Sequence, residues 1–163
     1  MAKAIVVMGK ICAGKSVYSN RLRQSLNAVI FSPDEATYEL IENEQGTFYD
    51  LFSKRLIKYL NKKAAQTALA GANVIYERGL WTRAQRREIK DYFIKSGVEC
   101  ELHYVRVSDE RWEENIKKRN RAVLEAPGPD FYVTEGLKQK LLSLWEEPEE
   151  GEVDIVIESG ENG

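Results

Sequence analysis

The chain has 163 residues, 43% of them hydrophobic and 31% charged, the balance of one soluble globular domain long enough for a single core. A net charge of −2 gives no general pull toward nucleic acid or anionic membrane, and two cysteines are too few for a disulfide framework or a zinc site. No apolar run nears the roughly eighteen residues of a membrane span, and none reads as a signal peptide, so a reducing, cytoplasmic setting is expected.

The first predicted strand, Lys3–Met8, is apolar from Ala4 onward and runs into Gly9-Lys10-Ile11-Cys12-Ala13-Gly14-Lys15-Ser16. That is a complete G-x-x-x-x-G-K-[ST] phosphate-binding loop, and Lys15–Ser25 then reads as a helix. Strand, loop and helix in this order are the context that gives the motif its meaning. Gly9 and Gly14 let successive backbone N–H groups curl toward phosphate oxygens, and the helix start at Lys15, Ser16 and Val17 adds its positive dipole end. Lys15 is expected to reach the β- and γ-phosphates, and the Ser16 hydroxyl to help hold Mg2+. Cys12 reads as a small filler residue, in surroundings of amides and Lys15 that would lower its pKa.

A second strand, Ala28–Phe31, ends at Ser32-Pro33-Asp34-Glu35, a helix start with Ser32 as N-cap, Pro33 at the first helical position and Glu35 closing a capping box. Asp34 follows a strand end and should lie across the cleft from the loop. It is a candidate general base for an acceptor hydroxyl, a water-mediated magnesium ligand, or simply a carboxylate favoured by the helix dipole. Phe48, Leu51, Phe52, Arg55, Leu56, Tyr59, Leu60 and Ala64 recur at three- and four-residue spacing, predicting a long amphipathic helix that ends near Gly71. Glu77 closes the third strand, Asn73–Glu77, where a Walker-B-type acid would hold a magnesium-bound water; orienting an arginine and pairing with Arg78 are the alternatives.

The segment from Arg78 to Arg87 is basic at a helix start, against the dipole preference. Arg83 is its candidate for an anionic group, while Arg86 and Arg87 read as a solvated helical face. Thr82 and Gln85 form a capping box for a helix through Ser96, stopped by Gly97. Cys100 is a small buried hydrophobe before a fourth strand, Glu101–Val107, in which His103 reads as a satisfied core histidine. Ser108-Asp109 caps the next helix. The cluster Lys117-Lys118-Arg119-Asn120-Arg121 and the Pro/Gly break at 126–129 suit a lid over about 119–134 within a single domain, 1–163. Arg119 is the candidate to offset charge on a transferring phosphoryl group, Arg121 is left open, and cations at a helix C-terminus are the plainer alternative for both. A last helix near Glu135–Trp145, a solvated acidic loop at 146–152 and a fifth strand, Val153–Ile157, complete the chain. Trp81, Trp112 and Trp145 read as core or cleft wall.

Strands alternating with helices predict an α/β fold: a parallel sheet with helices on both faces, binding ligands beyond the carboxyl ends of its strands. With the loop, Asp34, Glu77 and Arg119-Asn120-Arg121 in view, the chain resembles small P-loop kinases of the branch containing polynucleotide 5′-hydroxyl kinases, zeta-toxin kinases and chloramphenicol phosphotransferase. Val74-Ile75-Tyr76-Glu77-Arg78-Gly79-Leu80-Trp81 resembles the third-strand motif of that branch, with Glu where Asp is usual. The resemblance implies a three-layer P-loop nucleoside-triphosphate hydrolase fold with five parallel strands and a short lid. It also implies Mg-ATP as donor, Asp34 as general base and a lid arginine near Arg119. Thr37-Tyr38-Glu39 lacks the arginine that polynucleotide kinases often carry after the aspartate, which disfavours a nucleic-acid end as acceptor.

The function expected is transfer of the γ-phosphate of ATP to a hydroxyl acceptor, a small molecule ahead of a nucleic-acid end. The alternative is a regulatory ATP-binding module or an ATPase with no dedicated acceptor. A GTPase switch is disfavoured because no Asn-Lys-x-Asp signature follows strand four, and a large-ring ATPase because the chain leaves no room for its helical subdomain.

Overall fold

Strand β1 (Lys3–Met8) buries both faces: Ala4, Val6 and Met8 point to one side and Ile5 and Val7 to the other. This period-two split puts a core on each side of the sheet, as a central strand requires. In the computed structural model, which describes residues 1–42, 44 and 46–160, β1 pairs in parallel with β3 (Val74–Arg78) and β4 (Glu99–Arg106). Beyond these, β2 (Val29–Phe31) pairs with β3 and β5 (Ile155–Glu158) with β4, giving a parallel five-stranded sheet of order β2-β3-β1-β4-β5.

Helices α3 (Tyr49–Leu69) and α4 (Arg83–Lys95) cover the first face, supplying Leu56, Leu60, Ala64, Ile89 and Phe93 to the core around Val6 and Tyr76. Helices α1 (Lys15–Leu26), α5 (Asp109–Glu125) and α6 (Glu135–Leu144) cover the second, with Leu22, Trp112, Ile116 and Leu141 against Ile5 and Val105. Helix α2 (Pro33–Ile41) lies at the β2 end and packs Ala36 onto the first core. The expected three-layer α/β fold is therefore present. Among the described residues no helix is long and apolar enough to cross a membrane.

Most strand boundaries shift by one or two residues from expectation, the starts of β4 and β5 by the most. Strand β4 starts at Glu99, and β5 starts only at Ile155. Asp154 uses its carboxylate for the ladder, accepting from the Leu102 N–H at 2.8 Å and from Lys90 Nζ at 2.9 Å.

Candidate phosphate-loop site

The loop leaves β1 through a passage only glycine fits: a Cβ on Gly9 would lie 2.6 Å from the Val105 carbonyl oxygen. Gly14 takes the N-cap position of α1 at φ 99°, a left-handed conformation that favours glycine, and offers no side chain to the first turn. No acidic residue lies in that turn either. The N-terminal amides of α1 are thus neither capped nor neutralised by a side chain, the arrangement that receives an anion.

Lys15 bends over the loop and donates from Nζ to the carbonyls of Gly9 (3.0 Å) and Lys10 (2.8 Å). Loss of water there pulls its pKa down to about 8; the carboxylates of Asp34 and Glu77 oppose the shift, and the Arg119 guanidinium reinforces it. Of the charged residues that the sequence nominated beside it, Asp34, Glu77 and Arg119 thus influence this one ammonium; Arg83 is the exception. Ser16 Oγ donates to Glu77 Oε2 at 3.2 Å, so the last loop residue and the acid next to the end of β3 form one oxygen pair. Hard oxygen ligands of this kind suit Mg2+, which keeps several waters and takes few protein ligands. Among the described residues no group of three His, Cys, Asp or Glu is arranged around a metal.

Asp34 stands exposed in the first turn of α2, whose N-cap Ser32 accepts from the Glu35 N–H at 3.3 Å. Arg119 projects from α5 and lies 3.5 Å from Asp130. The first residues of the expected lid are thus regular helix, and the connection at 126–134 is fastened at its far end. There the Asn120 amide donates to the Val133 carbonyl at 2.9 Å and accepts from the Val133 N–H at 2.7 Å.

Several expectations need correction. Glu77 does not pair with Arg78, because adjacent strand residues face opposite ways; Arg78 packs on the Tyr76 ring and reaches Asn61. Burial raises the pKa of Cys12, outweighing the lowering by Arg119 and Lys15, so the thiol is not activated. Arg86 is fully buried: it donates to Glu152 at 2.5 Å and to the Leu80 carbonyl at 3.0 Å. The acidic loop is correspondingly structural, with Glu147 accepting from the Tyr104 hydroxyl and the Trp145 indole, each at 2.7 Å. Arg83 is tied to this loop as well, through its N–H to Glu146 (2.5 Å) and an ion pair with Glu149, and not to the phosphate loop. His103 is a satisfied core residue between Tyr18 (2.7 Å) and Glu101 (3.0 Å), and its pKa is lowered by burial.

Sequence reasoning missed the brace under the loop. Trp112 Nε1 donates to the Ile11 carbonyl at 2.6 Å, and Asn115 Nδ2 to the Cys12 carbonyl at 2.8 Å. Lys10 lies over the rings of Trp112 and Trp145, 5.0 and 5.7 Å from their centroids. Two loop carbonyls are thereby held on α5. The available signal was the spacing of Trp112, Asn115 and Arg119, which puts them on one helical face.

The family described as AAA domain matches residues 5–136. No curated protein matches the chain. Among solved structures, the APS kinase CysC of Mycobacterium tuberculosis, in complex with AMPPNP and APS, is 16% identical with a TM-score of 0.70, covering 98% of this chain and 89% of that one. A sugar kinase from Janibacter sp. HTCC2649 is 17% identical with a TM-score of 0.66, covering 97% and 86%. Kti12 of Chaetomium thermophilum, in complex with ADP-AlF3, is 14% identical with a TM-score of 0.64, covering 95% and 87%. The fold is that of P-loop kinases.

Proposed function

Because this chain belongs to the AAA-domain family and carries a complete phosphate loop, we propose that it binds Mg-ATP and transfers the γ-phosphate to a hydroxyl acceptor. The observation that carries this reading is the Ser16–Glu77 oxygen pair at the mouth of a loop whose helix amides no side chain caps. Beyond the loop, Asp34 and Arg119 supply the carboxylate and the cation that transfer to an alcohol requires, and their charges act on Lys15.

In this reading the amides of Gly9 to Val17 and the Lys15 ammonium hold the phosphates, and Ser16 with Glu77 holds the magnesium ion. The ion, when bound, neutralises charge on the β- and γ-phosphates. Asp34 accepts the proton of the acceptor hydroxyl as its oxygen attacks the γ-phosphorus. The bond from that phosphorus to the bridging oxygen breaks, and ADP leaves. Arg119 offsets the charge that spreads over the phosphoryl oxygens, a contribution of about 3 kcal/mol or more for a well-placed arginine.

Transfer of labelled γ-phosphate to a panel of alcohols tests the proposal, with Lys15→Ala as the blank. Asp34→Asn is expected to keep ATP affinity within about threefold and to lose at least a hundredfold in transfer rate. Full transfer by Asp34→Asn would remove the base assignment. Lys15-dependent release of phosphate to water, with no labelled alcohol, would favour an ATPase without a dedicated acceptor.

A further inference from the structure

Cys12 takes a backbone conformation that its residue type does not favour. Its φ is 60°, in the left-handed region, although it carries a side chain. The two glycines of the loop, Gly9 and Gly14, stand elsewhere and do not relieve this position. A residue held against its own preference persists only where its surroundings impose the conformation.

The surroundings here are two side chains of α5. Each peptide is planar, so φ and ψ at one residue are fixed once the planes on either side of it are fixed. Trp112 Nε1 holds the plane before Cys12, through the Ile11 carbonyl at 2.6 Å. Asn115 Nδ2 holds the plane after it, through the Cys12 carbonyl at 2.8 Å. The two donors are three residues apart and share one helical face. Trp112 is 2% exposed, with Lys10 and Lys138 over its ring at 5.0 and 5.8 Å, so the indole is itself packed in place.

In a trans peptide the C=O and N–H point in opposite directions. The amides of Cys12 and Ala13 are therefore turned away from the α5 donors that hold the carbonyls of their planes. That of Ala13 is committed to the Lys10 carbonyl at 3.2 Å, which also accepts from Lys15. Among the described residues that of Cys12 has no acceptor.

We propose that Trp112 and Asn115 are positioning residues for the phosphate loop: they impose the left-handed turn at Cys12 and so aim its N–H at a phosphate oxygen before the nucleotide arrives. The inference rests on the nucleotide binding read above and concerns how the loop acquires its binding shape. Without the two bonds Cys12 relaxes to a negative φ, and its N–H swings away from the phosphate. Binding must then restore the disfavoured conformer, and affinity falls accordingly. The thiol itself only packs, in the core under α1 and α5.

Glycine adopts a φ of 60° without steric penalty, and this separates the role from support of the loop by packing. The Kd of Mg-AMPPNP is measured by calorimetry for the native chain and Asn115→Leu, and for the same pair in a Cys12→Gly background. Asn115→Leu keeps the bulk of the side chain and loses the donor. With Cys12 in place it should weaken binding about tenfold; in the Cys12→Gly background the loss should be about threefold or less. A second cycle uses Trp112→Phe, which keeps a ring and loses Nε1, and should show the same sign; if either variant fails to fold, the other cycle decides. In 15N-labelled protein Mg-AMPPNP should move the Cys12 amide proton downfield in the native chain and leave it nearly unmoved in Asn115→Leu. Support by packing alone predicts the opposite cycle, because Cys12→Gly removes a further side chain from the core and deepens the loss. An equal or larger loss in the Cys12→Gly background, or undiminished affinity in Asn115→Leu, overturns the proposal. Either result, with Lys15-dependent binding by the native chain, spares the nucleotide reading; no binding by the native chain removes both.

Discussion

Lys15 is held by two carbonyls in a loop that takes away part of its water, and burial lowers its pKa to about 8. The sign matters. An unfolded lysine titrates near 10.4, so the charged ammonium is a cost to folding at and below pH 8, and that cost is lifted as pH rises between the two values. A bound triphosphate reverses the preference, because it stabilises the charged form. Binding of ATP above pH 8 must therefore take up a proton, and apparent affinity should fall by about tenfold per pH unit from pH 8 upward. Calorimetry at pH 9 in two buffers of different ionisation heat is expected to show net proton uptake that is absent at pH 6.5 and absent from Lys15→Ala. Proton release at pH 9 would contradict the assignment. The same residue shows why the loop is legible in sequence: every group that makes it lies within eight consecutive positions, from Gly9 to Ser16. The pairing of Ser16 with Glu77 spans 61 residues, and only the position of Glu77 at a strand end hinted at it.

Elements are legible where their signals are local. The Thr82–Gln85 capping box forms as the spacing predicts, and α4 ends at Lys95 just ahead of Gly97, which takes a φ of 78°. Arg86 is not legible, because its partner Glu152 lies 66 residues away and only the folded chain brings them together. A run of arginines on a helix otherwise reads as a solvated face. Once buried, Arg86 anchors the connection from β3 to α4, where Leu80 is held at the left-handed φ of 50° with its carbonyl on the guanidinium. Burial by itself would raise the pKa of Glu152, but the hydrogen bonds from Arg86 and the Glu149 N–H hold it below the usual carboxylate value. Its stabilisation is accordingly complete above about pH 5 and is lost as pH falls through the folded pKa. Arg86→Met keeps most of the side-chain volume and leaves the carboxylate without its partner. We expect a loss of about 3–5 kcal/mol in urea unfolding at pH 7, the cost of breaking a buried pair. Adding Glu152→Gln should recover part of it, and a loss below about 1 kcal/mol would show the pair to be dispensable.

At the scale of the whole molecule, the phosphate loop and the connection at 126–134 hang on one helix. Trp112 and Asn115 fix the loop carbonyls of Ile11 and Cys12 to α5, and Arg119 and Asn120 fix the connection at Asp130 and Val133 to the same helix two turns on. The contacts are of unequal strength. Asn120 makes two hydrogen bonds to Val133, which is 3% exposed, whereas the Arg119–Asp130 pair is 3.5 Å apart with the acid 62% exposed, so it contributes about 0–1 kcal/mol. A triphosphate beside Lys15 offers Arg119 far more negative charge than one solvated carboxylate does. The guanidinium should therefore leave Asp130 for the phosphates, and residues 128–132, no longer held at Asp130, should loosen while the Asn120–Val133 clamp keeps the end of the connection in place. Amide hydrogen exchange separates these parts. With Mg-AMPPNP, exchange is expected to slow at 10–17 and to quicken at 128–132, whereas the Val133 amide stays protected in both states. In Arg119→Ala exchange at 128–132 should already be fast without nucleotide, and nucleotide should change it no further. A nucleotide response at 128–132 that is the same in Arg119→Ala as in the native chain would remove the arginine from its place as the sensor of bound phosphate.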